Sequence, residues 1–347
     1  MVADTWHVVL LVPIAFSVTA AVVPLARRLA LALGITDDPK ANRWHQAPTP
    51  YLGGVAIVLS AVVCAAFAPA WEAEAAVLLA AAVLVGIAGL VDDVRTLHPK
   101  ARLLIEAGAA SIVFFYGSRV NLFGDAGDFV LTVAWLVIIT NSFNLLDNVD
   151  GAMGAIGTTI AFALTCAAVL EGQYLVGALA AVVAGACLGF LMHNWHPASI
   201  FMGDAGSLFL GFLLAAIGLK LRTAVDPGPS VVAVILLVGP ALFDTTLVVI
   251  SRVRARRPIY LGNTDHTSHR FLRLGLSHTA TTLVLVAGTA YSCGFGVAVA
   301  RGGVPAGLAV AATVVPASVA LWLLLRVPVY PETDVSTFSG TRPAAAR

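Results

Sequence analysis

The chain is written in long apolar blocks separated by short polar breaks, each block close to the 20 or so residues that a helix needs to cross a bilayer. Reading from one break to the next predicts eleven spans, at about 7–27, 52–70, 74–91, 102–118, 129–146, 152–170, 174–192, 205–221, 230–251, 279–299 and 304–326. The breaks at 69–74, 171–174 and 301–303 are so short that the blocks on either side must form antiparallel helical hairpins. The expected fold is therefore all-α, a polytopic helical bundle over residues 1–326, followed by a tail at 327–347 whose Pro, Ser and Thr content predicts disorder. Gly86 and Gly89, and Gly185 and Gly189, fall inside spans at spacings that suit close helix contacts.

Composition agrees with the pattern. Of 347 residues, 59% are hydrophobic and 11% charged, against about 25% charged in a soluble domain. This excludes a secreted, disordered or nucleic-acid-binding protein, and a net charge of +1 supplies no field for a polyanion. Met1–His7 lacks the basic start of a cleaved signal peptide. Cys64, Cys166, Cys187 and Cys293 lie in apolar runs without paired short spacing, as small core residues rather than zinc ligands or disulfides. Placing 28–51 in the cytoplasm and alternating puts all but Arg119, Lys220, Arg222 and Arg301 of the 20 Lys and Arg on the inner side. The N-terminus is then outside and the tail inside.

Acids are costly in a bilayer and mark function. Asp92 and Asp93 end the third span, Asp147 and Asp150 the fifth, and Asp204 opens the eighth, all on the inner side. Asp265 sits in the last large loop beside His266 and His269. Five carboxylates at one rim call for a cation, and Asp and Asn donors without Cys suit a hard one, Mg²⁺ or Mn²⁺. Lys100 and the neighbouring arginines suit phosphate. Gly203-Asp204-Ala205-Gly206-Ser207 opens a helix in a form that can receive an anion. Asp244, inside a span, is expected to partner a basic loop residue, while His193 and His196 read as helix-end polar groups.

Taken in order, the motifs resemble those of the polyprenyl-phosphate N-acetylhexosamine-1-phosphate transferase family over about residues 36–276. They are Asp38-Pro39…Arg43-Trp44-His45…Pro48-Thr49-Pro50-Tyr51-Leu52-Gly53-Gly54, Gly89-Leu90-Val91-Asp92-Asp93 with Lys100-Ala101-Arg102 downstream, and Asn141…Asn144…Asp147…Asp150-Gly151. Asn194-Trp195-His196-Pro197…Phe201-Met202-Gly203-Asp204-Ala205-Gly206-Ser207, Pro240…Asp244 and Arg257-Pro258…Asp265-His266-Thr267-Ser268-His269-Arg270 follow. Family members move a sugar-1-phosphate from a UDP-sugar onto a membrane polyprenyl phosphate and release UMP. The resemblance implies that Asp204 and Asn144 hold Mg²⁺ and that Asp92 and Asp93 meet the lipid phosphate. It places Asp147 and Asp150 on the nucleotide side, with Phe201 stacking on uracil. Arg102 falls where relatives hold a phosphate-binding cation, with Lys100 close by in sequence, His45 in the first inner loop, and His266, His269 and Arg270 in a loop closing over sugar and diphosphate.

The histidine pattern at 266–269 is sparser than in the branch that uses UDP-MurNAc-pentapeptide, so the resemblance is to the UDP-GlcNAc branch acting on undecaprenyl or decaprenyl phosphate in cell-wall or surface-polysaccharide synthesis. Asn148 stands where relatives often have glycine, Tyr51 where arginine is common, and Trp44 where lysine is common. An already ionised lipid phosphate hardly needs a strong base, which favours direct in-line attack over a covalent aspartyl intermediate. The alternatives are the phospho-MurNAc-pentapeptide branch and, in a different class, a lipid or solute transporter. Transporters place ionisable groups at the midplane of repeated halves; here the acids gather at one rim and no repeat is found.

Overall fold

The computed structural model describes residues 2–37, 48–65, 67, 73–260 and 264–330. His45, with Lys40, Arg43, Trp44 and Trp71, lies outside the described residues. The apolar blocks become helices because a backbone in lipid must satisfy its own hydrogen bonds. In chain order these are α1 (Val2–Leu33), α2 (Gly53–Ala65), α3 (Ala73–Val94), α4 (Pro99–Phe115), α5 (Asp125–Leu146), α6 (Ala152–Leu170), α7 (Tyr174–Asn194), α8 (Gly203–Lys220), α9 (Pro227–Arg254), α10 (Thr267–Arg273), α11 (His278–Ala300) and α12 (Ala306–Leu324). A two-residue antiparallel pairing of β1 (Thr36–Asp37) with β2 (Thr49–Pro50) joins α1 to α2.

Among the described residues, nine helices are long and apolar enough to cross a membrane. Two of the eleven predicted spans differ from expectation: 52–70 contains only the 13-residue α2, and 102–118 corresponds to the 17-residue α4, shifted three residues earlier to start at Pro99. Pro99 supplies the preset φ of a first helical residue, and the His98 side chain accepts from the Lys100 amide, so the helix begins before the apolar run does. The loop read at 252–278 also holds an unpredicted helix, α10.

The buried helix α8 is the axis of the bundle, packed by α3, α5 and α2, with α6, α7 and α9 also touching it. Helix α7 lies against α1 and α6, α4 against α3 and α5, and α11 and α12 against α9. Small residues set the closest crossings. A methyl group on Gly54 would meet the Gly206 backbone, one on Gly89 the Asp204 carbonyl, and Gly86 is also tight against α8. Gly185 and Gly189 sit against the α1 backbone at Val12 and Phe16. These are the close contacts expected where lipid gives helices no hydrophobic reason to associate. All four cysteines are free; Cys64, Cys187 and Cys293 are buried.

Two rims result. At one, the Lys220 ammonium at the end of α8 pairs with Glu74 at the start of α3, and Gln173 bonds the Arg222 backbone. At the other, the ends of α1, α3, α5, α7 and α9 meet the starts of α2, α4, α8 and α11. There Arg27 donates to the Ser199 carbonyl, and Asn194 accepts from the Gly151 amide while donating to the Ile200 carbonyl.

Candidate active site

The second rim gathers the separated acids. Arg102, in the first turn of α4, is the hub: its Nη1 lies 3.2 Å from Asp92 Oδ2 at the end of α3 and 3.2 Å from Asp204 Oδ2 at the start of α8. Its Nη2 donates to Asn141 Oδ1 on α5 at 3.2 Å. The other oxygen of Asp204 accepts from Asn144 Nδ2 at 2.7 Å, and that nitrogen also reaches Ser207 Oγ at 3.0 Å. Asp92 Oδ1 accepts from the Leu97 amide, which folds the α3–α4 turn back onto the site. Residues as distant in sequence as Asp92 and Asp204 thus share one cluster.

Asp93 faces the same helix start in another way. Its two oxygens accept from the amides of Asp204 at 2.8 Å and Ala205 at 3.1 Å. A carboxylate from a neighbouring helix therefore caps α8, where unpaired N–H groups and the helix dipole favour negative charge. Gly203 is at φ +71°, and any side chain there would run into the Asp93 carboxylate. The Asp204 and Ala205 amides of the glycine-rich helix start, read from the sequence as an anion site, are occupied by Asp93.

Asp147, the residue that ends α5, is half-buried, and its carboxylate has no hydrogen bond or ion pair among the described residues. Burial, then the charges of Asp204, Asp93 and Asp150, push its carboxyl up to about 7. Asp150 is committed elsewhere: Oδ2 lies 2.8 Å from His196 Nδ1 and accepts from the Ala198 amide at 3.0 Å. The His196 ring stacks on His278 at 4.0 Å. Phe201 is half-buried, its ring 6.2 Å from that of Tyr51 and its backbone bonded to Pro50 and Gly53. Lys100 is exposed.

A second cluster orders the late loop. Asp265 forms a two-pronged pair with Arg252, both contacts 2.9 Å, and accepts from the Tyr330 hydroxyl at 2.6 Å. Burial raises the Asp265 carboxyl, but the hydrogen bonds from Arg252 and Tyr330 outweigh it and hold the group below its ordinary value. Asp244 meets His266 Nδ1 at 2.8 Å and accepts from the Thr267 amide at 2.7 Å, so its partner is the basic loop residue expected. Arg270 is buried, and its donors go to the carbonyls of Asp265, Leu324 and Val327 and to the Ser251 hydroxyl. Arg273 reaches the carbonyls of Pro328 and Val329, and Arg257 lies over the Tyr330 ring. The segment 327–330, expected to be disordered, is thus packed on the loop because three arginines draw on it. Ser268 Oγ bonds Asn148 Oδ1, tying α10 to the Asp147–Asp150 turn.

His269 is buried on α10, and its Nδ1 has no hydrogen-bond partner among the described residues. Burial, reinforced by His266, lowers it to about 4, so it is neutral in the packed loop. An opened loop takes up a proton near the ordinary value of 6.5, and the packed one only near 4. Stability from this residue is therefore complete above about 6.5 and falls by up to about 3 kcal/mol as the pH drops toward 4. Asp147 works in the opposite direction, since its raised pKa favours the folded state as pH falls. The comparison that isolates His269 is between wild type and His269→Gln in detergent at pH 7.5 and 5.0. The loss of melting temperature on acidification is expected to be smaller in the variant; equal losses would remove the effect.

Sequence inspection passed over Glu106, which lies fully buried behind Arg102 with a 3.7 Å contact to its Nε. The signal was present: a lone acid inside an apolar run, one helical turn after an arginine. The Arg252–Asp265 pair carried no such local signal.

The donors that converge are hard ones. Asp92 and Asp204 share one guanidinium, and Asn144 lies against Asp204, though it now presents its amide nitrogen and would ligate a cation only after turning its oxygen inward. Among the described residues no cage of three or more His, Cys, Asp or Glu is formed. Two carboxylates and an amide suit Mg²⁺, which takes one or two protein carboxylates and leaves its other positions to water and phosphate.

An Asp, Asn and Arg cluster at one rim of a multi-helix membrane protein offers hard oxygen donors and a fixed cation, a set suited to phosphate groups. The pattern of glycosyl transferase family 4 matches residues 75–222, and the chain belongs to that family. It is 38% identical over 343 residues to the putative glycosyltransferase SCO3672 of Streptomyces coelicolor, covering 96% of this chain and 79% of that protein. It is 32% identical over 278 residues to the probable undecaprenyl-phosphate N-acetylglucosaminyl 1-phosphate transferase of Bacillus subtilis, covering 76% of this chain and 77% of that one. The decaprenyl-phosphate N-acetylglucosaminephosphotransferase of Mycobacterium tuberculosis (strain H37Rv) is 32% identical over 304 residues, 75% of this chain and 74% of that protein.

Proposed function

We propose that this protein transfers N-acetylglucosamine-1-phosphate from its UDP-sugar to a polyprenyl phosphate, releasing UMP, at the cytoplasmic face of a bacterial plasma membrane. The observation that carries this is the convergence of Asp92, Arg102, Asn144 and Asp204 from four helices at one rim. A prenyl tail can lie in hydrocarbon there while its phosphate meets a soluble nucleotide. Similarity to relatives named for N-acetylglucosamine-1-phosphate transfer supports the sugar. The basic residues collected at the same rim support its cytoplasmic placement and an outward N-terminus, with α2 and α4 completing eleven spans.

The chemical obstacle is repulsion between two anions. Asp204 and Asn144, with Asp92 beside them, would hold Mg²⁺, which would supply charge neutralisation and orientation of the diphosphate. Arg102 adds a fixed positive group to the same space. Asp147 meets the nucleotide from the α5 end, Phe201 is the stacking surface, and Asp150 holds the 195–198 turn through His196 and Ala198. Asp93 holds the start of α8, and therefore Asp204, in position. His266, His269 and Arg270 order the loop that α10 brings to the Asp147–Asp150 turn. The lipid phosphate, already ionised, attacks the sugar-bearing phosphorus directly, and UMP leaves.

Purified protein in detergent with Mg²⁺, a short polyprenyl phosphate and a panel of UDP-sugars is expected to release UMP fastest with UDP-N-acetylglucosamine. Preference for UDP-MurNAc-pentapeptide would assign the other branch, and substrate flux in vesicles without UMP release would assign a transporter. Label retained on Asp92 or Asp93 without acceptor lipid would overturn direct attack.

A further inference from the structure

Arg102 is held from two sides. In front are Asp92 and Asp204, the groups assigned to the reaction in the proposed function. Behind is Glu106, one turn along α4 and fully buried. Its Oε2 accepts from Asn141 Nδ2, while Oε1 has no hydrogen bond among the described residues and faces Arg102 Nε at 3.7 Å. The Asn141 amide closes the triangle, since its oxygen accepts from Arg102 Nη2 at 3.2 Å. Asn141 is itself fixed to the Val137 carbonyl on its own helix.

An arginine side chain is long and has many rotamers, so a useful guanidinium needs an anchor that the reaction does not disturb. Asp92 and Asp204 cannot serve, because substrate and cation compete for them. Glu106 can: it is out of reach of solvent, and in a membrane-spanning helix an ionised group without a partner is disfavoured, so it stays with the cation beside it. The amide of Asn141 gives the pair direction as well as charge, since one end accepts from the guanidinium and the other donates to the carboxylate.

We propose that Glu106 is a positioning residue for the transfer, acting with Asn141 to aim the Arg102 guanidinium at the space between Asp92 and Asp204 where substrate phosphate enters. The role rests on the transferase function proposed above. Glu106 touches no substrate, and its effect passes through Arg102.

Binding of UDP by calorimetry, with wild type, Glu106→Gln, Arg102→Ala and the double variant, tests this without depending on turnover. Glu106→Gln keeps the shape of the side chain and removes its charge. It is expected to weaken UDP binding about tenfold in the wild-type background and less than about twofold in the Arg102→Ala background, because the effect has no other route. Glu106→Gln that binds UDP like wild type, or that costs the same factor in both backgrounds, overturns the proposal. Should Glu106→Gln not fold, Asn141→Ala carries the same pair of comparisons. UMP release by the wild type is read separately. UDP coupling without UMP release keeps the role of Glu106 and removes the transfer reaction, whereas a wild type that does not bind UDP removes both.

Discussion

Asp204→Asn is expected to lower UMP release by about 1,000-fold while the protein remains a monodisperse, folded species in detergent. Asparagine has the shape of aspartate, and its carbonyl oxygen can still accept from Asn144 Nδ2, so the start of α8 keeps its packing against Asn144 and Ser207. The negative charge is what disappears. With it goes one of the two carboxylates that meet Arg102 Nη1, and the anionic oxygen donor assigned to Mg²⁺. Loss of one preorganised electrostatic contact at a reacting centre costs about 10²–10³ in rate, and loss of a metal ligand belongs at the upper end. The measurement is initial UMP release at saturating UDP-N-acetylglucosamine, with size-exclusion elution and melting temperature as folding controls. Activity within about threefold of wild type would make Asp204 an ordinary helix-end acid and would remove the centre from the proposed mechanism.

The second large effect is on stability. Asp265→Asn leaves Arg252, which is 1% exposed, without the carboxylate that holds both prongs of its guanidinium. A buried charge robbed of its partner costs about 3–5 kcal/mol. The Ile259 carbonyl still accepts from Arg252 Nη1, but a single neutral acceptor does not replace an ion pair. The Tyr330 hydroxyl loses its charged acceptor as well, so the segment 327–330 loosens together with the loop. A marked fall in melting temperature and faster proteolysis between α9 and α11 are expected. Arg252→Met combined with Asp265→Leu removes both charges and is expected to lose less than Asp265→Asn alone. A single variant as stable as wild type would show that water already compensates the pair.

Much of the site could be read from residue type and order, because the cost of an acid in an apolar chain makes each one conspicuous. Asp92, Asp147 and Asp204 are conspicuous for that reason, and Asp244 inside a span calls for a basic partner without specifying which. Its identity, His266, came from packing across 22 positions. Asp93 shows the limit more sharply. Its neighbour in sequence faces Arg102, yet Asp93 turns to cap a helix 111 positions away, a role no local pattern records. Glu106 was hidden by the opposite circumstance, one polar residue inside a run that otherwise spells a membrane helix. Tyr330 looked like part of a loose tail until the carbonyls around it proved to be the acceptors that Arg270 and Arg273 require.

Sequence alone determined that this is a helical membrane protein, roughly where its helices run, and that Asp92, Asp93, Asp147, Asp150 and Asp204 fall at one rim. Those properties depend on short-range composition, on the desolvation cost of charge and on the length a helix needs to cross hydrocarbon. Only the tertiary structure decided which acid faces which cation. A carboxylate at the end of one helix is offered several partners at the same rim, and the crossings permitted by residues such as Gly54, Gly89 and Gly206 select among them.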